Sequence, residues 1–140
     1  MPANAVKHSI ECWIYDQTNI RFLLLKCPEN DQHKEYWQPV TGGIEPGEDQ
    51  ITACLREIKE ETGVVLQKNQ VMKLLDGFKV YSEDRELHKT IFLTQTQGCD
   101  VVLSDEHSDY TWADPSDVMG LLLWGSNRVT FQRVMDFLDL

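Results

Sequence analysis

Basic residues are scarce in this 140-residue chain. It has 13 lysines and arginines against 23 aspartates and glutamates, and its formal net charge at pH 7 is −10. Such a chain repels nucleic-acid backbones and anionic membranes, so stable binding to either through a basic surface is not expected. A polyphosphate ligand would then be recruited by metal ions and a few local basic side chains.

Paired cysteines and long apolar runs are missing too. The cysteines form no CxxC pair and no zinc-binding spacing, and no apolar run reaches 18 residues. The first ten residues also lack the layout of a signal peptide. We therefore expect a cytoplasmic protein whose thiols are free and buried in a reducing environment. The four cysteines are Cys12, Cys27, Cys54 and Cys99.

The sequence gives little support to nucleophilic catalysis. Its four histidines show no ligand spacing, and no Ser-His-Asp or Cys-His arrangement can be argued from it. Internal repeats, linkers and low-complexity tracts are absent, and the length suits a single domain over residues 1–140. The histidines are His8, His33, His88 and His107.

What the chain does contain is a series of strands interleaved with helices. A polar turn at 17–19 joins the first two strands into a hairpin, and a charged turn at Ser82–Glu86 separates two later ones. Asp114 and Pro115 mark the start of a late helix. Helices on both faces of a mixed sheet define an α/β/α sandwich. Predicted strands cover 8–16, 20–27, 36–41, 71–81, 87–97 and 110–113, and predicted helices cover 49–62, 115–122 and 127–138.

The most informative stretch runs from Gly42 to Val64 and reads GGIEPGEDQITACLREIKEETGV. Glu48 and Asp49 place negative charge where a helix begins, and Gly63 is suited to end it. Four apolar residues at helical spacing predict a stripe that faces the core: Ile51, Cys54, Leu55 and Ile58.

Three glutamates on the outer face of this helix stand at i, i+3 and i+4. Glu57, Glu60 and Glu61 would repel one another by a few tenths of a kcal/mol per pair. Carboxylates that converge on one point suit a hard divalent cation, Mg²⁺ or Mn²⁺, which completes its shell with water and substrate phosphates. The alternative is a solvated acidic helix face without a ligand.

The spacing of these residues resembles the Nudix box, G-x5-E-x7-R-E-U-x-E-E-x-G-U, in which U is aliphatic. Every specified position matches, from Gly42 through Glu48 and Arg56 to Val64. The resemblance implies an α/β/α sandwich with a mixed sheet. It also implies a hydrolase that uses bound metal to cut a phosphoanhydride bond in a nucleoside diphosphate linked to another group.

The resemblance assigns roles to the matching positions. It implies that Glu57 and Glu61 bind metal directly, and that Glu60 binds it directly or through water. Arg56 would hold these glutamates in a fixed geometry, because a guanidinium pairs with carboxylates in a bidentate fashion. Glu48 and Gly42 would support the ligands, with Glu48 at most a weaker ligand.

A second acidic position follows near the end of the chain. Glu106 precedes His107 in Glu106-His107-x-x-Tyr110-x-Trp112, and composition alone favours a surface glutamate there. The resemblance implies instead a further metal ligand or general base. The base is therefore Glu57 or Glu106, and the sequence leaves that choice open.

The substrate is suggested by a softer resemblance. Segments 37–42, 106–112 and 124–128 are similar to those of bacterial dihydroneopterin triphosphate pyrophosphohydrolases, which also act on dATP. This implies release of pyrophosphate, with Lys7 and Thr41 as substrate contacts. The chain departs from that group in two places, because Cys27-Pro28 stands where arginines are usual and the spacing from Trp124 to Asn127 is one residue longer.

Other readings remain at this point. Diadenosine tetraphosphate hydrolases share the acidic entry to the helix and the late Glu-His segment, whereas the acidic charge disfavours an RNA 5′-pyrophosphohydrolase. A non-catalytic Nudix-fold nucleotide-binding module is disfavoured because all box glutamates are present.

The expected partner is a small nucleotide-like molecule, and the sequence leaves open whether the protein forms a homodimer. Four aromatic residues are expected mainly in the core, although one could stack on a substrate ring: Trp37, Tyr110, Trp112 and Trp124.

Overall fold

A computed structural model describes residues 5–82 and 84–140, and these residues form seven strands and three α-helices. The strands are β1 (Ala5–Asp16), β2 (Arg21–Cys27), β3 (Tyr36–Gln38), β4 (Val40–Gly43), β5 (Met72–Tyr81), β6 (Arg85–Thr96) and β7 (Asp109–Ala113). The helices are α1 (Gln50–Thr62), α2 (Pro115–Leu121) and α3 (Gly125–Leu138), and a short 3₁₀ turn covers Lys68–Gln70. Glu83, in the predicted turn Ser82–Glu86, and residues 1–4 lie outside the described residues. Within the described residues, no helix is long and apolar enough to cross a membrane.

All seven strands belong to one mixed sheet. The order along its main path is β3-β2-β1-β6-β5, while β4 pairs with β1 and β7 pairs with β2. The long strands β1 and β6 run parallel over their full length, and every other pairing is antiparallel. The predicted hairpin is confirmed, but β1 and β2 pair only at Tyr15–Phe22 and Asp16–Arg21 before they diverge.

The prediction of one strand over 36–41 is wrong, because Pro39 divides it into two. Proline has no backbone N–H to give to a strand ladder, so the chain changes partner at this residue. Strand β3 pairs with β2, whereas β4 pairs with β1 through Ile10 opposite Gly42 and Ser9 opposite Gly43. This change of partner brings the first glycine of the box to the centre of the sheet.

Alternate residues of β1 face two separate apolar cores. One core joins Ile10, Cys12 and Ile14 to helix α1, and the other joins Trp13 and Tyr15 to helices α2 and α3. Helices therefore cover both faces, and the α/β/α sandwich predicted from the sequence is confirmed. Helix α1 contributes Ala53, Cys54 and Ile58, α2 contributes Val118, and α3 contributes Phe131 and Val134.

The ends of α1 follow the sequence signals. The carboxylate of Asp49 accepts a hydrogen bond of 2.9 Å from the backbone N–H of Thr52, which satisfies one of the free N–H groups at the helix start. Gly63 ends the helix with φ of 75°, a left-handed conformation that favours glycine. At α2, Asp114 and Pro115 occupy the predicted positions, but the Asp114 side chain makes no capping bond.

Cysteine and aromatic predictions are confirmed in part. All four cysteines, which lie in the described residues, are free thiols, and Cys99 is only half-buried while the other three are buried. Trp37 and Trp112 pack against the cores, as expected. Tyr110 and Trp124 are exposed instead, and Trp124 has 44% of its surface accessible.

Candidate active site

Arg56 is the centre of the ionic network at the start of α1. Its Nε and Nη2 donate to the two carboxylate oxygens of Glu48 at 2.8 and 2.9 Å, a bidentate pair. Its Nη2 also donates to the carbonyl oxygen of Gly43 at 2.9 Å, and its Nη1 donates to Glu57 at 2.8 Å and to Glu60 at 3.2 Å. The hydrogen bonds to Glu48 contribute most to raising the pKa of Arg56 and lower that of Glu48. One permanent cation thus ties α1 to the end of β4.

The carboxylate of Glu57 lies directly against Gly42 of β4. A Cβ at position 42 would overlap the carboxylate carbon and both oxygens of Glu57. Glycine is therefore needed at this position so that the carboxylate can reach the strand. The side chain of Glu57 is 12% exposed and is held from its other side by Arg56.

Glu61 differs from its neighbours because it is buried rather than on the outer face of the helix. The residue is 2% exposed, and its Oε2 has no hydrogen-bond partner among the described residues. Burial raises the pKa of Glu61 to about 10, and the neighbouring Glu57 and Glu106 add to that shift. Its Oε1 stands 3.5 Å from Nε2 of His107, a buried imidazole whose pKa is lowered by burial.

These features fit a divalent cation. An unpartnered oxygen of a buried carboxyl group, close to other carboxylates, is a costly arrangement that a hard cation would relieve. Glu57 and Glu106 are the carboxylates that act on Glu61, whereas Glu60 is 56% exposed in its side chain and engaged with Arg56. In residues 5–82 and 84–140, no three His, Cys, Asp or Glu side chains are already arranged to hold one ion. Glu60 would have to release Arg56 before it could join the others.

A cleft of about 750 Å³ opens on the opposite face of the sheet from α1. Lys7 and Thr41, the predicted substrate contacts, both line it. Lys7 packs against Gly43, and the hydroxyl of Thr41 donates to the Ile10 carbonyl oxygen at 3.0 Å. Gly42 lines the cleft and also contacts Glu57, so the cleft and the acidic cluster meet at this glycine.

Aromatic rings stand at the mouth of the cleft. The His33 ring lies 4.7 Å from that of Tyr36, which lies 5.6 Å from that of Trp124, measured between ring centroids. All three rings line the cleft. Of the four aromatic residues considered for stacking in the sequence analysis, Trp124 is the one that lines this cleft.

Two residues of the site were not identified as such from the sequence. His107 shows no ligand spacing in the sequence although its Nε2 lies 3.5 Å from Oε1 of Glu61, and Glu11 falls within the predicted strand 8–16. Glu11 is fully buried under the cleft, where Lys89 and Asn127 donate to it. The signal for Glu11 was present, because a lone glutamate on the inward side of an apolar strand needs buried partners.

Comparisons with known proteins place the chain in a family. The NUDIX domain family matches residues 7–134. A bis(5′-nucleosyl)-tetraphosphatase (asymmetrical) of Rattus norvegicus is 33% identical over 129 residues, covering 88% of this chain and 84% of that protein. Dihydroneopterin triphosphate diphosphatase of Escherichia coli (strain K12) is 28% identical over 138 residues, covering 89% of each.

A solved structure supports the same fold. The crystal structure of a MutT protein from Methanosarcina mazei Go1 aligns with a TM-score of 0.80 over 99% of both chains, at 21% identity. The chain therefore belongs to the Nudix domain family and is a pyrophosphohydrolase of that family.

Proposed function

We propose that this protein hydrolyses a nucleoside triphosphate such as dATP, or dihydroneopterin triphosphate, to a monophosphate and pyrophosphate with the help of Mg²⁺ or Mn²⁺. One observation carries the proposal. Gly42 lines the cleft, which is large enough for a ring and a sugar, and it also contacts Glu57 of the glutamate cluster on the other side of β4. The ring lies in the cleft, and the phosphates pass over Gly42 and Gly43 toward α1.

The residues of the chain divide the work of binding and orientation. Lys7, beside Gly43, places a positive charge where the phosphates leave the cleft, and Thr41 lines the cleft further along β4. Arg56 holds Glu57 at a fixed position against Gly42, and Glu48 holds Arg56. This preorganisation matters because small displacements of reacting groups cost much of the rate.

Glu57, Glu61 and Glu106, joined by Glu60, would hold the metal. When bound, the ion would neutralise charge on the phosphates and make a bound water more acidic. Glu106 takes the proton of the attacking water, since Glu106 is exposed on its loop whereas Glu57 is engaged by Arg56. An exposed carboxylate can accept the proton and then release it to solvent.

A second candidate is asymmetric cleavage of diadenosine tetraphosphate. The similarity to the rat tetraphosphatase over 88% of the chain favours it. The aromatic rings at the mouth of the cleft would then face the second adenosine, which a triphosphate lacks. The two candidates differ in product, because the tetraphosphate yields ATP and AMP whereas a triphosphate yields a monophosphate and pyrophosphate.

Product analysis tests the proposal. The protein is incubated with Mg²⁺ and dATP, dihydroneopterin triphosphate, diadenosine tetraphosphate, ADP-ribose or 5′-triphosphorylated RNA, and water labelled with ¹⁸O identifies the phosphorus attacked. We expect pyrophosphate from the triphosphates and no turnover in excess EDTA. Preferential conversion of diadenosine tetraphosphate would favour the second candidate, and turnover that survives EDTA would overturn the role of the metal.

The choice of base is tested with a matched pair of variants. Glu106→Gln removes the proposed base, while Asp105→Asn removes a neighbouring exposed charge. We expect a loss in kcat of about 10²-fold or more for Glu106→Gln, and little change for Asp105→Asn. Equal rates for both variants would return the role of base to Glu57.

A further inference from the structure

Glu106 lies in the segment between β6 and β7, and a backbone hydrogen bond attaches this segment to α1. The N–H of Val102 donates to the carbonyl oxygen of Thr62, the last residue of α1, at 2.8 Å. Thr62 is fully buried. The last carbonyl oxygens of a helix have no partner within the helix, and a buried one left without a partner is costly. The bond from Val102 therefore satisfies the end of α1 and fixes the path of the segment at the same time.

The residues around this bond support it without using the side chain of Val102. Val101 and Leu103 pack against the core that contains α1, whereas the side chain of Val102 between them is exposed. The backbone here passes close to the end of the helix, since a Cβ at Gly63 would come within 3.2 Å of the Cβ of Val102. The backbone bond can thus be removed without opening a cavity in the core.

The segment is held again just after Glu106. The next residue, His107, is buried, and its Nε2 lies 3.5 Å from Oε1 of Glu61. The backbone N–H of Ser108 then donates to the carbonyl oxygen of Lys26 in β2 at 3.0 Å. Glu106 is exposed between these attachments, so its distance from the carboxylates of α1 depends on the segment keeping its place against the helix.

We propose that the hydrogen bond from Val102 to Thr62 positions Glu106 against the glutamates of α1 that would hold the metal. Val102 is then a positioning residue that acts through its backbone N–H. Without this bond the segment before Glu106 loses its attachment to α1, and the carboxylate no longer has one place beside Glu61. This inference rests on the proposed function, because it assumes that Glu106 helps to hold the metal and accepts a proton.

Val102→Pro removes the N–H and leaves most of the segment unchanged. Proline has no backbone N–H, its ring has room at an exposed position, and Val102 does not have the positive φ that proline cannot adopt. Loss of a group that orients a metal ligand typically costs 10–10²-fold in metal affinity or activity. We therefore expect the calorimetric Kd for Mg²⁺, measured without substrate, to rise about tenfold, and kcat at saturating Mg²⁺ to fall about tenfold or more.

The KM for substrate should change little in the same variant. None of the described residues that line the cleft comes from the segment between β6 and β7. The substrate ring and sugar would therefore meet the same surface in Val102→Pro as in the parent. A fall in kcat at constant KM, together with weaker Mg²⁺ binding, is a combination that general unfolding of the site would not give.

Val65→Pro is the matched control. Val65 is 67% exposed, against 70% for Val102, and it also lies in an irregular segment that follows α1. Its N–H donates to no backbone acceptor in the part of the chain that the structure describes. This variant should keep the parental Kd and kcat. Val102→Ala, which keeps the N–H but shortens the side chain, should bind Mg²⁺ more tightly than Val102→Pro.

A double-mutant cycle shows whether the bond acts through Glu106. In a Glu106→Gln background, Val102→Pro should change the Kd for Mg²⁺ and kcat by no more than about twofold, because the carboxylate that it positions is already absent. If the substitution instead disturbs α1 directly, it should reduce Mg²⁺ affinity and kcat by the same factor in both backgrounds.

The outcomes separate this inference from the proposed function. Equal Kd and kcat in Val102→Pro and Val65→Pro overturn the inference, and so do losses of equal size in the two backgrounds. If Val102→Pro does not fold, as judged by thermal unfolding, Leu103→Ala takes its place with the same expectation, since it removes an apolar anchor of the same segment. If the parent hydrolyses none of the candidate substrates while the Mg²⁺ affinities follow this pattern, only the proposed activity fails. Parental Kd and kcat in Glu106→Gln count against both the role of Glu106 and this inference.

Discussion

Gly42 and Glu57 are in such close contact that no side chain at position 42 is compatible with the observed place of the carboxylate. Gly42→Ala would push the end of a flexible side chain aside rather than distort the backbone. We therefore expect kcat to fall about 10²-fold, since a displacement of about 1 Å can cost that much. The free energy of unfolding should change by less than about 1 kcal/mol.

The control for this prediction is Gly120→Ala in helix α2. A Cβ at Gly120 would meet no atom within 4 Å, and alanine is favoured over glycine in a helix by about 0.5–1 kcal/mol. This variant should be slightly more stable than the parent and equally active. Steady-state kinetics and urea unfolding of both variants check the pair, and a fully active Gly42→Ala would show that Glu57 does not need its present position.

Local signals explain why part of the site was predictable. Several features of α1 depend only on residues that are close together in sequence, so they can be recognised from the sequence alone. They are the cap at Asp49, the helix end at Gly63 and the spacing of Arg56, Glu57 and Glu61. The Gly42 contact joins residues 15 positions apart, yet the resemblance to a family motif was enough to mark both. The metal requirement stays a prediction.

Contacts between distant segments explain what was missed. The burial of Glu61 depends on where His107 lies, and the hydrogen bonds of Glu11 depend on Lys89 and Asn127, which come from another strand and the last helix. The division of the predicted strand 36–41 at Pro39 depends on which strand pairs with each half. Strand β3 pairs with β2 whereas β4 pairs with β1, and both partners lie far away in the sequence. Periodicity along one segment carries no information about these partners.

The raised pKa of Glu61 predicts a dependence of stability on pH in the metal-free protein. The folded chain keeps this proton up to a pH of about 10, whereas the unfolded chain loses it near the ordinary value of 4.5. The folded state therefore binds more protons between these values, and its free energy of unfolding should fall as pH rises from 5.5 to 8.5. Urea unfolding at these two pH values, in EDTA, measures the effect, and Glu61→Gln should reduce it.

Metal binding should displace the same proton. A carboxyl group must be ionised to act as a ligand, so Mg²⁺ binding at pH 7 should release about one proton in the parent and fewer in Glu61→Gln. Calorimetric titrations in two buffers of different ionisation enthalpy give the number released. Binding without proton release in the parent would show that Glu61 is not a ligand or is already ionised.

Arg56→Lys tests whether the geometry of the guanidinium matters beyond its charge. Lysine has one ammonium group and cannot bridge Glu48, Glu57 and the Gly43 carbonyl oxygen at once. We expect a loss of about 1–2 kcal/mol in the free energy of unfolding and a fall of roughly 10–10²-fold in kcat. Arg133→Lys, on the exposed face of α3, should change neither, and unaltered kcat in Arg56→Lys would mean that charge alone suffices.

Glu57→Gln separates a ligand from a solvated surface charge. If Glu57 holds the metal, losing its charge removes a preorganised electrostatic partner worth about 3–4 kcal/mol in the transition state, or roughly 10²–10³-fold in kcat. If it is only part of an acidic surface, kcat should not change. Glu29→Gln, an exposed carboxylate in the loop after β2, is the control for loss of one charge.

The stability of Glu57→Gln should respond to metal in a way that the control does not. Without metal, the substitution relieves repulsion with Glu60 and Glu61, about 0.2–0.5 kcal/mol per pair, but weakens the bond to Arg56, whose bidentate pair with Glu48 remains. These effects are of similar size and opposite sign, so the metal-free variant should unfold within about 1 kcal/mol of the parent. Added Mg²⁺ should stabilise the parent through binding and the variant less, as thermal unfolding over a range of Mg²⁺ concentrations would show. An equal Mg²⁺-induced shift in both proteins, or parental turnover in the variant, would remove Glu57 from the metal site.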